Sequence, residues 1–232
     1  MTQTTKLKGL SGSSLKWLAI GTMLIDHIGA FILEPLIGVD ANTSLITLAL
    51  ITRLIGRIAF PIFTFLLVEG YIHTNHLKRY ILQLGLFAIL SEIPFDLANS
   101  SVMFDFSYQN VFFTLLIGLV VITAFDHFKN HVYMRWLAPI FGMMLATFLR
   151  TDYAAIGILI IFVFYYYRDQ TLERNILNGI LFLLQATAVL ALIPIQLYNG
   201  QRGKQNKYFF YFFIPSIFYY SPLFVGFSFN KK

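Results

Sequence analysis

The sequence predicts an all-α fold, a polytopic integral-membrane helical bundle, and three observations support this. Hydrophobic residues fill 57% of the 232 positions and charged residues only 12%, more apolar surface than a soluble globule of this size can hide. Apolar runs of about 20 residues, the length that crosses a bilayer core, recur along the chain. The connections between them are short, with no low-complexity linker, soluble segment or internal repeat, so residues 1–232 read as one transmembrane domain.

The first apolar run predicts a helix over 15–34. Its start, with Lys6, Lys8 and Lys16, resembles a signal sequence, but the run is too long and lacks a small-residue cleavage site, so it reads as an uncleaved anchor. Further helices are expected over 47–72, 78–97, 110–127, 134–149, 153–168, 174–197 and 208–227, about eight in all. Asn110 is read as the cap of the fourth, and Asp152 with Tyr153 as the cap of the sixth. The Phe and Tyr runs at 164–167 and 208–220 suit an interfacial belt and lipid-facing surface.

Charge then sets orientation. Seventeen Lys and Arg against eleven Asp and Glu give a net charge of +6, but the basic residues are scattered over short loops and form no dense face for nucleic acid. Lys6, Lys8 and Lys16, then Lys78 and Arg79, Lys129 and Arg135, Arg168 and Arg174, and Lys231 and Lys232 fall on one side of the eight-helix arrangement. The positive-inside rule makes that side cytoplasmic, with both termini inside. Glu34, Asp40, Asp96 and Asp105 fall on the other. Arg202, Lys204 and Lys207 break the pattern, and are expected outside but folded against the protein through Gly200 and Gly203. The chain has no cysteine, which excludes disulfides and thiolate chemistry.

Ionisable groups within the apolar runs are the candidate site, because each costs roughly 3 kcal/mol at the centre of a membrane helix. His27, beside Asp26, lies eleven residues past Lys16, about 16 Å into the membrane, and Arg57 enters to about 15 Å on the next helix. Arg53 precedes Arg57 by one turn on the same face. Asp26 or Glu69 can partner an arginine there, and a simple helix-locking ion pair is the structural alternative. Imidazole can serve as a base and a carboxylate can orient it. Arginines stay charged and suit phosphates or an oxyanion. These groups fit acyl transfer from a phosphate-rich donor to an amine or hydroxyl, and fit a proton-coupled transporter almost as well. Glu69 and His73, one turn apart, either line a donor entrance or end the helix. His76, His127 and His131 lack acidic or cysteine companions, so no metal is expected.

A resemblance favours the first reading. The runs Lys16-Trp-Leu-Ala-Ile-Gly-Thr-Met-Leu-Ile-Asp-His-Ile-Gly29, Arg53-Leu-Ile-Gly-Arg-Ile-Ala-Phe-Pro-Ile-Phe63, Glu69-Gly-Tyr-Ile-His-Thr74, Asn110-Val-Phe-Phe-Thr114, Thr151-Asp-Tyr153 and Tyr208-Phe-Phe-Tyr211 resemble the TraX family in its order. That family is associated with N-terminal acetylation of pilin and is similar to a wider group of bacterial membrane acyltransferases that use acetyl-CoA. The wider group's basic residue, ten spacers and histidine are matched by Lys16 and His27. Its paired arginines resemble Arg53 and Arg57, here separated by three residues rather than two. Its Tyr-Pro-x-His element reads Ile214-Pro-Ser-Ile217, without the histidine.

The resemblance implies a multi-pass protein of the bacterial cytoplasmic membrane, in contact with lipid. It further implies an acetyl-CoA donor and, as acceptor, a peptide N-terminus or surface glycan. His27 is then the general base or an acyl carrier, oriented by Asp26. Arg53 and Arg57 hold donor phosphates or the oxyanion. Lys16, Glu69 and His73 mark the donor's entry, and Asn110, Asp152 and Tyr153 are further site candidates.

Overall fold

A computed structural model describes residues 9–38, 42–100 and 104–204. Helix α1 (Gly12–Ile28) runs through a π-helical turn (Gly29–Leu33) into α2 (Glu34–Ile37). Helices α3 (Thr43–Gly56) and α4 (Ala59–His73) form a second long unit, and α5 (Leu77–Asn99) a third. These units, of 26, 31 and 23 residues, are long and apolar enough to cross a membrane. The shorter α6 (Val111–His127), α7 (Val132–Phe148), α8 (Ala154–Tyr166) and α9 (Thr171–Leu183) follow, then a 3₁₀ segment (Ala186–Ala191) and α10 (Leu192–Gln196). Among the described residues the chain is helical, with only isolated bridges joining Leu10 to Tyr198 and Gln109 to Thr151.

The helices start where side chains supply the hydrogen bonds their first turns lack. Ser11 Oγ accepts from Ser14 N at 3.1 Å, Asn42 Oδ1 from Ser44 N at 2.9 Å and Asn110 Oδ1 from Phe112 N at 2.9 Å. The last confirms Asn110 as a cap. Helix α8 is the most enclosed: Ile158, Ile160, Ile161 and Phe164 are buried against α4, α6, α7 and α9. It approaches closely because Gly157 has no side chain. A Cβ there would stand 2.5 Å from Thr114 Cγ2 and 2.7 Å from Tyr153 Cβ, the small-residue contact that lets membrane helices meet. Helix α7 turns Leu137, Ile140, Phe141, Met144 and Phe148 outward, a surface suited to lipid.

The up-and-down course separates two ends. One gathers the start of α1, the α4–α5, α6–α7 and α8–α9 turns and residues 198–204, as shown by Tyr71 Oη donating to Asp126 Oδ2 at 3.2 Å and Phe65 meeting Tyr198 edge-on at 5.3 Å. Lys16, Lys78, Arg79, Lys129, Arg168, Arg202 and Lys204 belong to this basic end. The opposite end carries Glu34, Asp96, Asp105 and Asp152, with Arg150 as its basic residue among those described.

Two expectations are corrected. The helix expected over 174–197 is instead a hairpin. At about 1.5 Å per residue α9 reaches only about 20 Å, short of a bilayer core of about 30 Å. Its chain then reverses at Ala186, whose φ of +54° interrupts the right-handed α-helix before the 3₁₀ segment. Thr187 Oγ1 donates to the Leu54 carbonyl, which seats the hairpin tip beside α3. The return leg ends against the start of α1, where Leu10 N donates to Leu197 O at 2.7 Å, Gly12 N to Gln201 O at 2.8 Å and Ser13 N to Arg202 O at 2.9 Å. Ser13 Oγ also donates to Lys204 O at 2.6 Å. Arg202 and Lys204 are therefore folded against the protein as expected, but at the end that holds Lys16, not the opposite one. Apolar length could not separate one crossing from two short legs that enter and leave on the same side. The helix expected over 208–227, Lys207 and both termini lie outside the described residues.

Single cysteines in this cysteine-free chain test the arrangement. An impermeant thiol reagent should treat positions 78, 130 and 202 alike and position 106 oppositely, in intact cells and in inverted vesicles. Position 202 reacting with position 106 would restore the full crossing.

Candidate functional site

Two prolines shape the segments that carry the polar residues. A helix-interior proline has no N–H to give the carbonyl four residues back, and its ring clashes with that carbonyl. Pro35 does this to Phe31, and the helix widens into the π turn, where Glu34 N reaches back to Gly29 O. Such bulges re-aim the side chains around them. Pro61 does the same to Arg57: α3 ends at Gly56, Arg57 N bonds Arg53 O at 3.3 Å, Ile58 N bonds Ile55 O at 3.2 Å, and α4 restarts at Ala59. The break comes about 21 Å, fourteen residues, from the start of α3, near the middle of its span.

Asp26 faces this break. Its Oδ2 lies 2.7 Å from Arg53 Nη1, and Arg53 Nε lies 3.1 Å from Glu34 Oε1, so one guanidinium joins both sides of the π turn to α3. Gly56 permits the approach, since a Cβ there would stand 2.2 Å from Asp26 Cβ. Asp26 Oδ1 is buried without a hydrogen-bond partner among the described residues. His27, the next residue, has its ring 5.5 Å from that of Phe31 and lies within electrostatic reach of Arg53. Asp26 is thus tied to Arg53.

Arg57 differs from Arg53. Among the described residues it forms no carboxylate ion pair, and its partner is the Tyr153 hydroxyl. Tyr153 stacks on Phe60 at 3.5 Å and 3°, and its N–H points at Thr114 Oγ1, 3.5 Å away. The expected cap at the start of α8 is corrected: Tyr153 occupies the cap position with no side-chain bond. Asp152 Oδ1 instead accepts from Tyr108 Oη at 2.7 Å. The turn is pinned by Gln109 N to Arg150 O at 3.1 Å and Asp152 N to Gln109 O at 3.0 Å. Arg150 and Ala154 hold φ of +51° and +42°, a left-handed geometry that costs about 1 kcal/mol or more for such residues and persists where surroundings impose it.

This turn is sunken. Helix α8 has 13 residues and the α1–α2 unit 26, about 20 Å against about 39 Å. Measured from the basic end, Asp152 and Tyr153 therefore lie well below the far end of the first unit and level with the α3–α4 break. Beside them, Asn110 donates from Nδ2 and N to Glu92 Oε2, the second contact at 3.2 Å, and from Nδ2 to Ala88 O at 2.9 Å. Glu92 Oε1 is buried without a partner among the described residues.

The structure brings together Asp26, His27, Arg53, Arg57, Asp152 and Tyr153, with Asn110 adjoining through α6. Lys16, Glu69 and His73 lie toward the basic end. Lys16 stands within electrostatic reach of Arg202. Glu69 meets Tyr198 and Arg174, and His73 Nδ1 is 2.9 Å from the Glu69 carbonyl. Sequence reasoning passed over Glu34, Glu92, Gly56 and Tyr108. Glu92 carried the same signal as Asp26, an acid inside an apolar run. Tyr108 carried none.

The family model described as TraX protein matches residues 11–220, which takes in every residue of this cluster. The chain belongs to the TraX family. A relative, the probable fimbrial assembly protein FimC, serogroup H1, of Dichelobacter nodosus, is 25% identical over 238 residues, covering 88% of this chain and 91% of that protein. No solved structure matches. TraX membership and the polar cluster together make the α3–α4 break the candidate site.

The doubly engaged Arg53 gives a stability prediction. Arg53→Ala leaves two carboxylates facing each other's field, whereas Asp26→Ala leaves Arg53 with Glu34. Arg53→Ala should therefore destabilise the detergent-solubilised protein more, by about 1–3 kcal/mol for charged hydrogen bonds that are partly exposed. Equal thermal shifts in the two variants would count against the bridge.

Proposed function

We propose that this TraX protein is an integral-membrane acyltransferase that moves an acetyl group from acetyl-CoA to an amine or hydroxyl. The division of labour between the two arginines carries the reading. Arg53 is spent on carboxylates and holds the frame, while Arg57 is free of them and stands at a helix break with the Tyr153 hydroxyl as its partner. A half-helix start, here that of α4, adds its own partial positive charge.

In the proposed reaction His27 takes the proton from the acceptor nitrogen or oxygen as that atom bonds to the thioester carbonyl carbon. Arg57 faces the carbonyl oxygen as it becomes negative. When the carbon–sulfur bond breaks, His27 returns its proton to the departing thiolate, and Tyr153 keeps Arg57 in place. The donor supplies the activated acyl group. The sunken turn at Asp152–Tyr153 suits an acceptor arriving from the acidic end. Because the Dichelobacter nodosus relative is named for fimbrial assembly, a peptide N-terminus is favoured over a glycan. By the positive-inside rule the basic end faces the cytoplasm of a bacterial inner membrane.

The chain of charge from Glu34 through Arg53 to Asp26 also favours a second reading, a proton relay in a coupled transporter. Protein reconstituted with labelled acetyl-CoA and acceptor peptide separates the two. Transfer should be abolished in His27→Gln and fall about 100-fold or more in Arg57→Lys, the loss typical of an oxyanion donor. Uptake driven by a pH gradient with no acetylated product would replace the enzyme by the transporter.

A further inference from the structure

A recess at the basic end lies apart from the helix break. It encloses about 310 Å³ between α4, α5, α6 and α8, and its chemistry is mixed. The half-buried Tyr71 ring stands edge-on to the buried Tyr165, 5.5 Å apart and nearly perpendicular at 80°. The Arg168 guanidinium sits 5.3 Å above the Tyr165 ring, and the Asp126 carboxylate accepts from Tyr71 Oη at 3.2 Å. Ile72, Thr74 and Leu77 complete the wall. Lys78 and Arg79 follow Leu77 in the chain, and Lys129 follows Asp126 by three residues.

We propose that this recess binds the adenosine-phosphate end of the donor. The inference rests on the acyl-CoA reading and names where its nucleotide is held. Arg168 supplies charge for phosphate, the Tyr71 ring supplies apolar contact for a purine, and Asp126 decides between ligands. A site for phosphate alone, whether free or on a lipid headgroup, gains nothing from a carboxylate in its wall and loses affinity to repulsion. A nucleoside brings an exocyclic amine and ribose hydroxyls that a carboxylate can accept from. Tyr71 lies fourteen residues from Arg57, about 21 Å along the α4 side of the bundle, a distance for which the extended pantetheine arm of CoA is suited. The nucleotide then stays at the basic end while the thioester reaches the break.

Calorimetric titration of the full-length protein in nanodiscs with adenosine 3′,5′-bisphosphate tests this. Wild-type protein should bind. Arg168→Gln and Asp126→Asn, both changes of exposed side chains, should each weaken binding about ten-fold or more, as loss of a charged hydrogen bond does. Unchanged affinity in both variants overturns the proposal. Tighter binding in Asp126→Asn, or binding seen in phosphatidylcholine nanodiscs and abolished by phosphatidylglycerol, assigns the recess to an anion or lipid headgroup and also overturns it. The ligand carries no acyl group, so the outcome is independent of whether transfer occurs. Nucleotide bound here with no acetylated product would keep the recess and remove the acyltransfer reading alone.

Discussion

The ion pair between Asp26 and Arg53 is the constraint on which the rest of the arrangement depends. Charged groups in an apolar span are tolerated only when they face one another, so this pair dictates which faces of α1 and α3 meet. Glu34 extends it past the π turn, and Gly56 gives it the room. Once α1 and α3 are locked in this way, the next polar residues, His27 and Arg57, cannot turn to lipid and are held inside the bundle.

Two backbone irregularities make the locked region usable. Pro35 and Pro61 each deprive a carbonyl of its partner, and broken backbone in a membrane is tolerated only where protein re-satisfies it or a cavity receives it. Thr187, at the hairpin tip, donates to the Leu54 carbonyl near the break. The short α8 lowers the Asp152–Tyr153 turn to the same level. A discontinuity with its arginine, a base and a sunken turn thereby come together from three separate stretches of chain.

The hairpin of α9 and α10 shows how hydropathy misleads. Residues 174–197 are apolar enough for a crossing, yet their two legs each fall short of one. Packing decides the matter: the return leg finds the unsatisfied N–H groups at the start of α1, and the carbonyls of 201 and 202 cap them. The result also restores the charge pattern, because Arg202 and Lys204 join the other bases instead of opposing them.

The sequence by itself determined the helical membrane class, the family and the positions of Asp26, His27, Arg53 and Arg57. Each of these rests on composition, spacing or the cost of a charge in an apolar run, all of which are properties of one segment at a time. Tertiary structure decided what no single segment contains. Arg53 and Arg57 look equivalent one turn apart, and only the placement of Glu34 and Tyr153 distinguishes the carboxylate-bound guanidinium from the tyrosine-bound one. Asp152 reads as a cap until Tyr108, 44 residues away in the chain, takes its carboxylate. The reversal at Ala186 depends on contacts with α1 and α3. Partners distant in sequence set these outcomes, because burial forces each polar group to find the nearest complement in space rather than in order.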